Sequence, residues 1–114
     1  NWLEKKLAGN ESVLLIAEEG SQSIAQVRFD WLNAKEAEIN VAVTEGFRGR
    51  GYGSEILRRV SAQFFQEFPA CDAIHALIKP DNKTSVRSFE KAGYRLMSET
   101  DHGGQICVEM ILTR

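Results

Sequence analysis

The chain has 114 residues, 43% of them hydrophobic, with 14 Lys and Arg against 16 Asp and Glu and a formal net charge of -2. That length supports one hydrophobic core burying roughly two thirds of the unfolded surface, so residues 1–114 are expected to form a single domain. The charge balance argues against a non-specific nucleic-acid binder, and the absence of a long apolar run or a basic-then-apolar leader argues against a membrane-spanning or secreted chain.

Residues 2–7 carry Trp2, Leu3 and Leu7 with charges between and are stopped by Gly9-Asn10, which reads as the last turns of a helix. Residues 12–18 form a short apolar strand, Gly20-Ser21-Gln22 a turn, and residues 24–32 alternate as a half-buried strand. Asn33 to Glu36 then turns the chain into a strand ending at Val43. A hairpin that pairs Phe29 with Ile39 and Val27 with Val41 puts apolar partners on one face. The opposite face then aligns Asp30 with Glu38 and Arg28 with Asn40, where two opposed carboxylates would raise at least one pKa and favour a base near neutral pH.

Residues 51–65 show a helical stripe of Ile56, Leu57, Val60, Phe64 and Phe65, with Pro69 ending it. Residues 73–78 form a strand. Pro80-Asp81-Asn82 starts a helix, with Asn82 as its N-cap, that runs to about Lys91 and closes at Gly93. Residues 94–98 and 106–112 are the final strands, joined through the hairpin chemistry of Asp101-His102-Gly103-Gly104. The fold class is mixed α/β, in the α+β sense, with a mainly antiparallel central sheet flanked by helices. Cys71 and Cys107 lie in or beside apolar strands without metal-ligand spacing, and His75 and His102 lack metal partners, so no metal and a reducing cytoplasm are expected. Within its apolar strand, His75 reads as a satisfied sheet histidine.

The most informative run is Arg48-Gly49-Arg50-Gly51-Tyr52-Gly53, set between a strand and a helix. Three glycines at every second position strip side chains from the turn, so backbone N–H groups from Arg48 to Ser54 can converge on one anion at the positive end of the helix. With the overall charge negative, a polyanionic ligand must be held locally. Arg48, Arg50, Arg58 and Arg59 cluster around the cradle, although Arg58 and Arg59 are more simply solvated.

Together with residues 39–47 before it and 54–60 after it, this run resembles the acetyl-CoA-binding segment of the GNAT superfamily of N-acetyltransferases, with Arg48, Gly51 and Gly53 at its fixed positions. Asn82 and Ser85 followed by Phe89-Glu90-Lys91-Ala92-Gly93-Tyr94 resemble that superfamily's second signature. The resemblance implies a GNAT-like fold with acetyl-CoA as acyl donor, held by Arg48, Gly49, Arg50, Gly51, Tyr52, Gly53 and Ser54 at the diphosphate. It also implies backbone contacts to the pantetheine arm from Val41 and Val43, the amide near Val43 being the best candidate for the thioester carbonyl. Contacts from Asn82, Ser85 and Phe89 complete the implied cofactor set.

Glu38 lies close to where many members carry a catalytic acid and is the expected base, set against a reading of Asp30, Glu38 and Arg28 as a solvated charge row. Many relatives carry a Tyr where this chain has Phe89. A phenyl ring donates no proton, so water or Ser85 would have to return one to the thiolate; Tyr94 is expected to be a core aromatic instead.

The superfamily has a strand and helix ahead of the region that begins at Asn1. The chain therefore reads as a fragment or the later part of a longer polypeptide, with an exposed sheet edge that a second copy or the preceding segment would cover. The expected function is acetyl transfer to a primary amine of a small molecule, with a nucleotide-linked amino sugar favoured over a protein N-terminal amine. The alternative from another class is a non-catalytic acyl-CoA-binding module.

Overall fold

The computed structural model describes residues 3–7, 12–19, 22–43 and 52–114. In chain order the described elements are β1 (Leu3–Leu7), β2 (Ser12–Glu19), β3 (Gln22–Trp31), β4 (Glu36–Val43), α1 (Tyr52–Glu67), β5 (Ala73–Ile78), α2 (Lys83–Lys91), β6 (Arg95–His102) and β7 (Gln105–Thr113). The strands form one sheet in the order β1-β2-β3-β4-β5-β7-β6. Every neighbouring pair is antiparallel except β4 with β5.

The helix expected over residues 2–7 is a strand instead, pairing Leu3 with Ala17 and Leu7 with Val13. Leu3 and Leu7 stand four apart, a spacing that fits one helix face and one strand face equally well. The open backbone edge of β2 decides between them, because each of its outward N–H and C=O groups needs a partner.

β4 to β5 and β5 to β6 are both crossovers between strands of the same direction, and both step the same way along the sheet. Right-handed crossovers therefore lay α1 and α2 on one face. The core lies between that face and the two helices: Val13, Leu15, Val27, Phe29, Ile39, Ile74, Ala76 and Met110 meet Ile56, Leu57, Val60, Phe64 and Phe89. Phe29 stacks on Phe64 with centroids 4.0 Å apart, and Trp31 and Phe68 extend the aromatic cluster at the end of α1. There the Arg114 guanidinium donates to the carbonyls of Phe65 (2.7 Å), Phe68 (2.9 Å) and Cys71 (3.0 Å) and lies 4.9 Å from the Phe65 ring centroid.

The β6–β7 hairpin turns through Gly103 and Gly104, both at positive φ (63° and 86°), the conformation expected of a tight two-residue turn. β6 is an edge strand with a bulge: Leu96 pairs with Met110 and Ser98 with Glu109, leaving Met97 as the extra residue. Leu96 and Met97 are both exposed. Cys71 and Cys107 are free and buried, and burial pushes the Cys71 thiol above its ordinary value. No helix among the described residues is long and apolar enough to cross a membrane.

Candidate active site

The parallel pairing of β4 with β5 covers only Glu36–Ala73, Ala37–Ile74 and Glu38–His75. Past that point β4 continues against β3 as far as Ala25–Val43, while β5 continues against β7 to Ile78–Val108. The sheet thus opens into a fork whose root is the Glu38–His75 pair.

The backbone groups turned into this fork can be read from the hydrogen bonds at its base. The Leu32 N–H donates to the Glu36 carbonyl (2.9 Å), and the Asp72 N–H to the Lys35 carbonyl (2.7 Å). Alternate residues of a strand turn their backbone groups to opposite sides, so even-numbered β4 residues address β3 and odd-numbered ones address β5. Val41 and Val43 therefore present N–H and C=O groups to the fork beyond the last β4–β5 pair, whereas the Ile39 N–H still belongs to the Glu38–His75 bridge. No described strand meets the Val41 and Val43 groups there. Strand backbone groups without a ladder partner suit an extended amide-bearing ligand, which can supply one.

The sheet face opposite the helices carries the polar side chains beside the fork, and the β3–β4 register there is the one the hydrophobic alternation indicates: Phe29–Ile39, Val27–Val41, Asp30–Glu38 and Arg28–Asn40. The expected carboxylate pair does not form as a contact. Asp30 instead accepts from Ser12 Oγ (2.6 Å), Arg28 Nε (2.9 Å) and Asn40 Nδ2 (3.5 Å), so its charge is engaged along its own strand and its neighbours. Half-buried Glu38 has no hydrogen-bond or ion-pair partner among the described residues, which leaves its carboxylate available.

Across the fork root, His75 bridges two strands. Nε2 bonds to Glu36 Oε1 of β4 and Nδ1 to Glu109 Oε2 of β7 at 3.1 Å, with the imidazole side chain 15% exposed. The bond with His75, and after it the bond donated by Asn33 Nδ2 (3.3 Å), hold the Glu36 carboxyl below the usual carboxylate range. The reading of His75 as a satisfied sheet histidine holds. Its link to Glu36 is legible only once the parallel register of β4 on β5 is known.

Both helices begin where the parallel strands end, so the N-termini of α1 and α2 lie at the open end of the fork. Arg48, Gly49, Arg50 and Gly51 lie outside the described residues, while Tyr52 opens α1 and Ser54 sits half-buried in its first turn. A Cβ on Gly53 would stand 3.2 Å from Ser88 Oγ and 3.6 Å from its Cβ, so this glycine lets α1 approach α2 closely. Farther along α1, Arg58 and Arg59 are exposed, and Arg59 pairs with Glu55 at 2.9 Å.

Asn82 caps α2, its side-chain oxygen accepting from the Ser85 N–H at 3.2 Å, and half-buried Ser85 lies in the first turn. Phe89 is 7% exposed and meets the Tyr94 ring edge-on at 4.9 Å, so most of the ring belongs to the core. Tyr94 is buried, its hydroxyl bonds to Ser61 at 2.8 Å, and burial pushes its phenol well above the ordinary value. Among the described residues no His, Cys, Asp and Glu group is arranged to hold a metal ion.

Solved structures share this architecture. An aminoglycoside acetyltransferase AAC(6')-Ib in complex with coenzyme A and kanamycin superposes with a TM-score of 0.80 at 20% identity, covering 91% of this chain and 67% of that one. A spermidine N-acetyltransferase, SpeG, from Vibrio cholerae gives 0.81 at 16% identity over 93% of this chain and 68% of that one. Among curated proteins, the acetyltransferase ECA0875 of Pectobacterium atrosepticum is 24% identical over 92 residues, 81% of this chain and 64% of the relative. The acetyltransferase SG1711 of Sodalis glossinidius is 21% identical over 94 residues, 82% of this chain and 65% of the relative. The chain thus spans just under two thirds of the length of these curated relatives. Residues 1–95 match the acetyltransferase (GNAT) domain, and with the forked sheet and the two helix starts at its mouth, the chain belongs to that family.

Proposed function

We propose that this domain transfers an acetyl group from acetyl-CoA to a primary amine, and the observation that carries the reading is the fork, where the backbone groups of Val41 and Val43 lie beyond the last β4–β5 pair. The diphosphate sits on the N–H groups of Arg48, Gly49, Arg50, Gly51, Tyr52, Gly53 and Ser54 at the start of α1. The pantetheine arm extends β4 through the backbone of Val41 and Val43, and the Asn82 amide nitrogen, Ser85 and the exposed edge of Phe89 line its other side. A β4 N–H aimed at the thioester oxygen stabilises the oxyanion of the tetrahedral intermediate, a contribution of about 3 kcal/mol for a single donor.

Glu38 is the base. It lies three residues before Val41, about 10 Å along the strand, and five before Val43, about 17 Å. A base works through contact or one intervening water, so Val41 is the carbonyl donor that suits Glu38, while Val43 would need a longer water chain. The amine nitrogen attacks the carbonyl carbon as a neutral group, the new C–N bond forms, the C–S bond breaks, and the amine's proton passes to Glu38. The thiolate takes its proton from water or from Ser85, since Phe89 has none to give.

Asp30, Glu36, Glu38 and Glu109 share the open face with Arg28, Arg95 and His75, so carboxylates outnumber the arginines there, a balance that attracts an amine carrying further positive charge. The same balance repels the diphosphate of a nucleotide-linked amino sugar. Both that sugar and a protein N-terminal amine remain arms of the test.

The full chain is incubated with acetyl-CoA and spermidine, kanamycin, a nucleotide-linked amino sugar or a peptide, and free thiol is followed. Thiol release with a cationic amine is expected, and Glu38→Gln lowers kcat roughly 100-fold with little change in KM. Coenzyme A binding without thiol release for any amine makes the domain a non-catalytic module; no calorimetric heat with coenzyme A ends the acyl-CoA reading itself.

A further inference from the structure

The two hydrogen bonds of His75 impose a condition on its ring. Ionised carboxylates only accept, and a neutral imidazole carries a single N–H, so Glu36 and Glu109 are both satisfied only when each ring nitrogen bears a hydrogen. The triad joins β4, β5 and β7 by side chains. It does so at Glu38–His75, the last paired position before β4 and β5 part.

We infer that His75 is a positioning residue: held between Glu36 and Glu109, it fixes the root of the fork and hence the place of the thioester carbonyl against the β4 backbone. The inference rests on the acyl-CoA reading above. His75 itself touches neither donor nor acceptor. His75 stands at the root of the fork and the start of α1 at its open end, so the staple governs where the thioester ends up more than how tightly the diphosphate is gripped. A displacement of about 1 Å at a reacting centre is enough to cost about 100-fold in rate, and a fork lever some three residues long reaches such a displacement with a small change at its root.

The charged groups facing His75 across the open face are Glu36 and Glu38 on β4, Asp30 with its partner Arg28 on β3, Glu109 on β7, and Arg95 on β6, whose register partner Ile111 also pairs with His75. Of these, only Glu36 and Glu109 bond the ring. A glutamine at position 109 keeps the staple, because its amide can donate to Nδ1 or accept from it while the other ring nitrogen serves Glu36, whereas a leucine there leaves Nδ1 without a partner.

The test needs no acceptor. Isotope-edited infrared spectra of carbonyl-labelled acetyl-CoA bound to the full chain read the polarisation of the thioester, and calorimetry reads affinity for coenzyme A. In the wild-type protein the carbonyl stretch is expected below its value in solution. His75→Phe should lose the shift while binding coenzyme A with the same dissociation constant and keeping the wild-type circular dichroism spectrum. Glu109→Gln should keep the shift and Glu109→Leu lose it, and this pair decides the matter alone should His75→Phe fail to fold. A carbonyl shift that survives in folded His75→Phe, or in folded Glu109→Leu, overturns the staple and leaves the acyl-CoA reading standing. A wild-type protein that does not bind coenzyme A overturns both.

Discussion

Two side chains set opposite pH limits on the stability of this domain. Tyr94 is held neutral by burial, so its folded phenol titrates above the unfolded one, and the stability this represents is complete below about pH 10 and declines as pH rises beyond it. Glu36 titrates lower when folded, chiefly through its bond with His75. Its contribution is complete above the ordinary carboxylate range near pH 4.3 and is lost as pH falls through the depressed value. Urea midpoints followed against pH should fall at both ends. Tyr94→Phe is expected to flatten the alkaline decline while lowering neutral-pH stability by about 1 kcal/mol, because the buried Ser61 hydroxyl loses its partner. Glu36→Gln should flatten the acid decline. A wild-type midpoint that is level across the acid range would show that the Glu36–His75 bond contributes nothing to folding.

The helices are held at their ends as much as along their faces. α2 has only nine residues, too short to persist alone, and its first turn depends on the Asn82 oxygen meeting the Ser85 N–H. Asn82→Ala should cost about 1 kcal/mol in thermal or chemical unfolding, and Asn82→Asp, which keeps the acceptor, should restore most of it. At the other end of the helical layer, Arg114 satisfies carbonyls that the last turn of α1 leaves open, where its positive charge also complements the helix dipole. Arg114→Ala is expected to destabilise the domain by about 1–2 kcal/mol, with faster amide exchange confined to the end of α1 and the following turn.

These elements were readable in the residues because each carries a local signal. The Ile56, Leu57, Val60 and Phe64 stripe marks α1, Asn82 and Gly93 bracket α2, and the match of Phe29 with Ile39 fixes the β3–β4 register. The strand at Leu3–Leu7 was not readable, since four-residue spacing serves two periodicities and the deciding partner, β2, acts through backbone. The His75 triad was hidden for a related reason: its members lie 39 and 34 residues apart and meet only through the β4–β5–β7 pairing. Asp30 shows the limit of pairing arguments, because a correct register placed it opposite Glu38 while Ser12, Arg28 and Asn40 took its oxygens.

At the level of the whole domain, the sheet is continuous by backbone pairing on both sides of the fork but joined across it by only three residue pairs. A ligand that fills the fork replaces missing ladder bonds, so binding should stiffen the molecule as well as occupy it. At 100 times its dissociation constant, a ligand of the native state adds about 2.7 kcal/mol, which for a domain of this size raises the melting midpoint on the order of 10 °C. Saturating coenzyme A should produce a rise of that order, with slowed amide exchange at Val41 and Val43. A rise without protection at those residues would place the ligand elsewhere.

The outer rim of the sheet has its own safeguard in the extra residue Met97. Opposite Leu96–Met110 and Ser98–Glu109 it breaks the regular spacing of donors and acceptors, so a straight foreign strand docking there would find its ladder out of step after one or two bonds. Excising Met97 would square that rim and leave an even row of donors and acceptors beside exposed Leu96, so light scattering should rise more steeply with concentration for the deletion than for the parent chain.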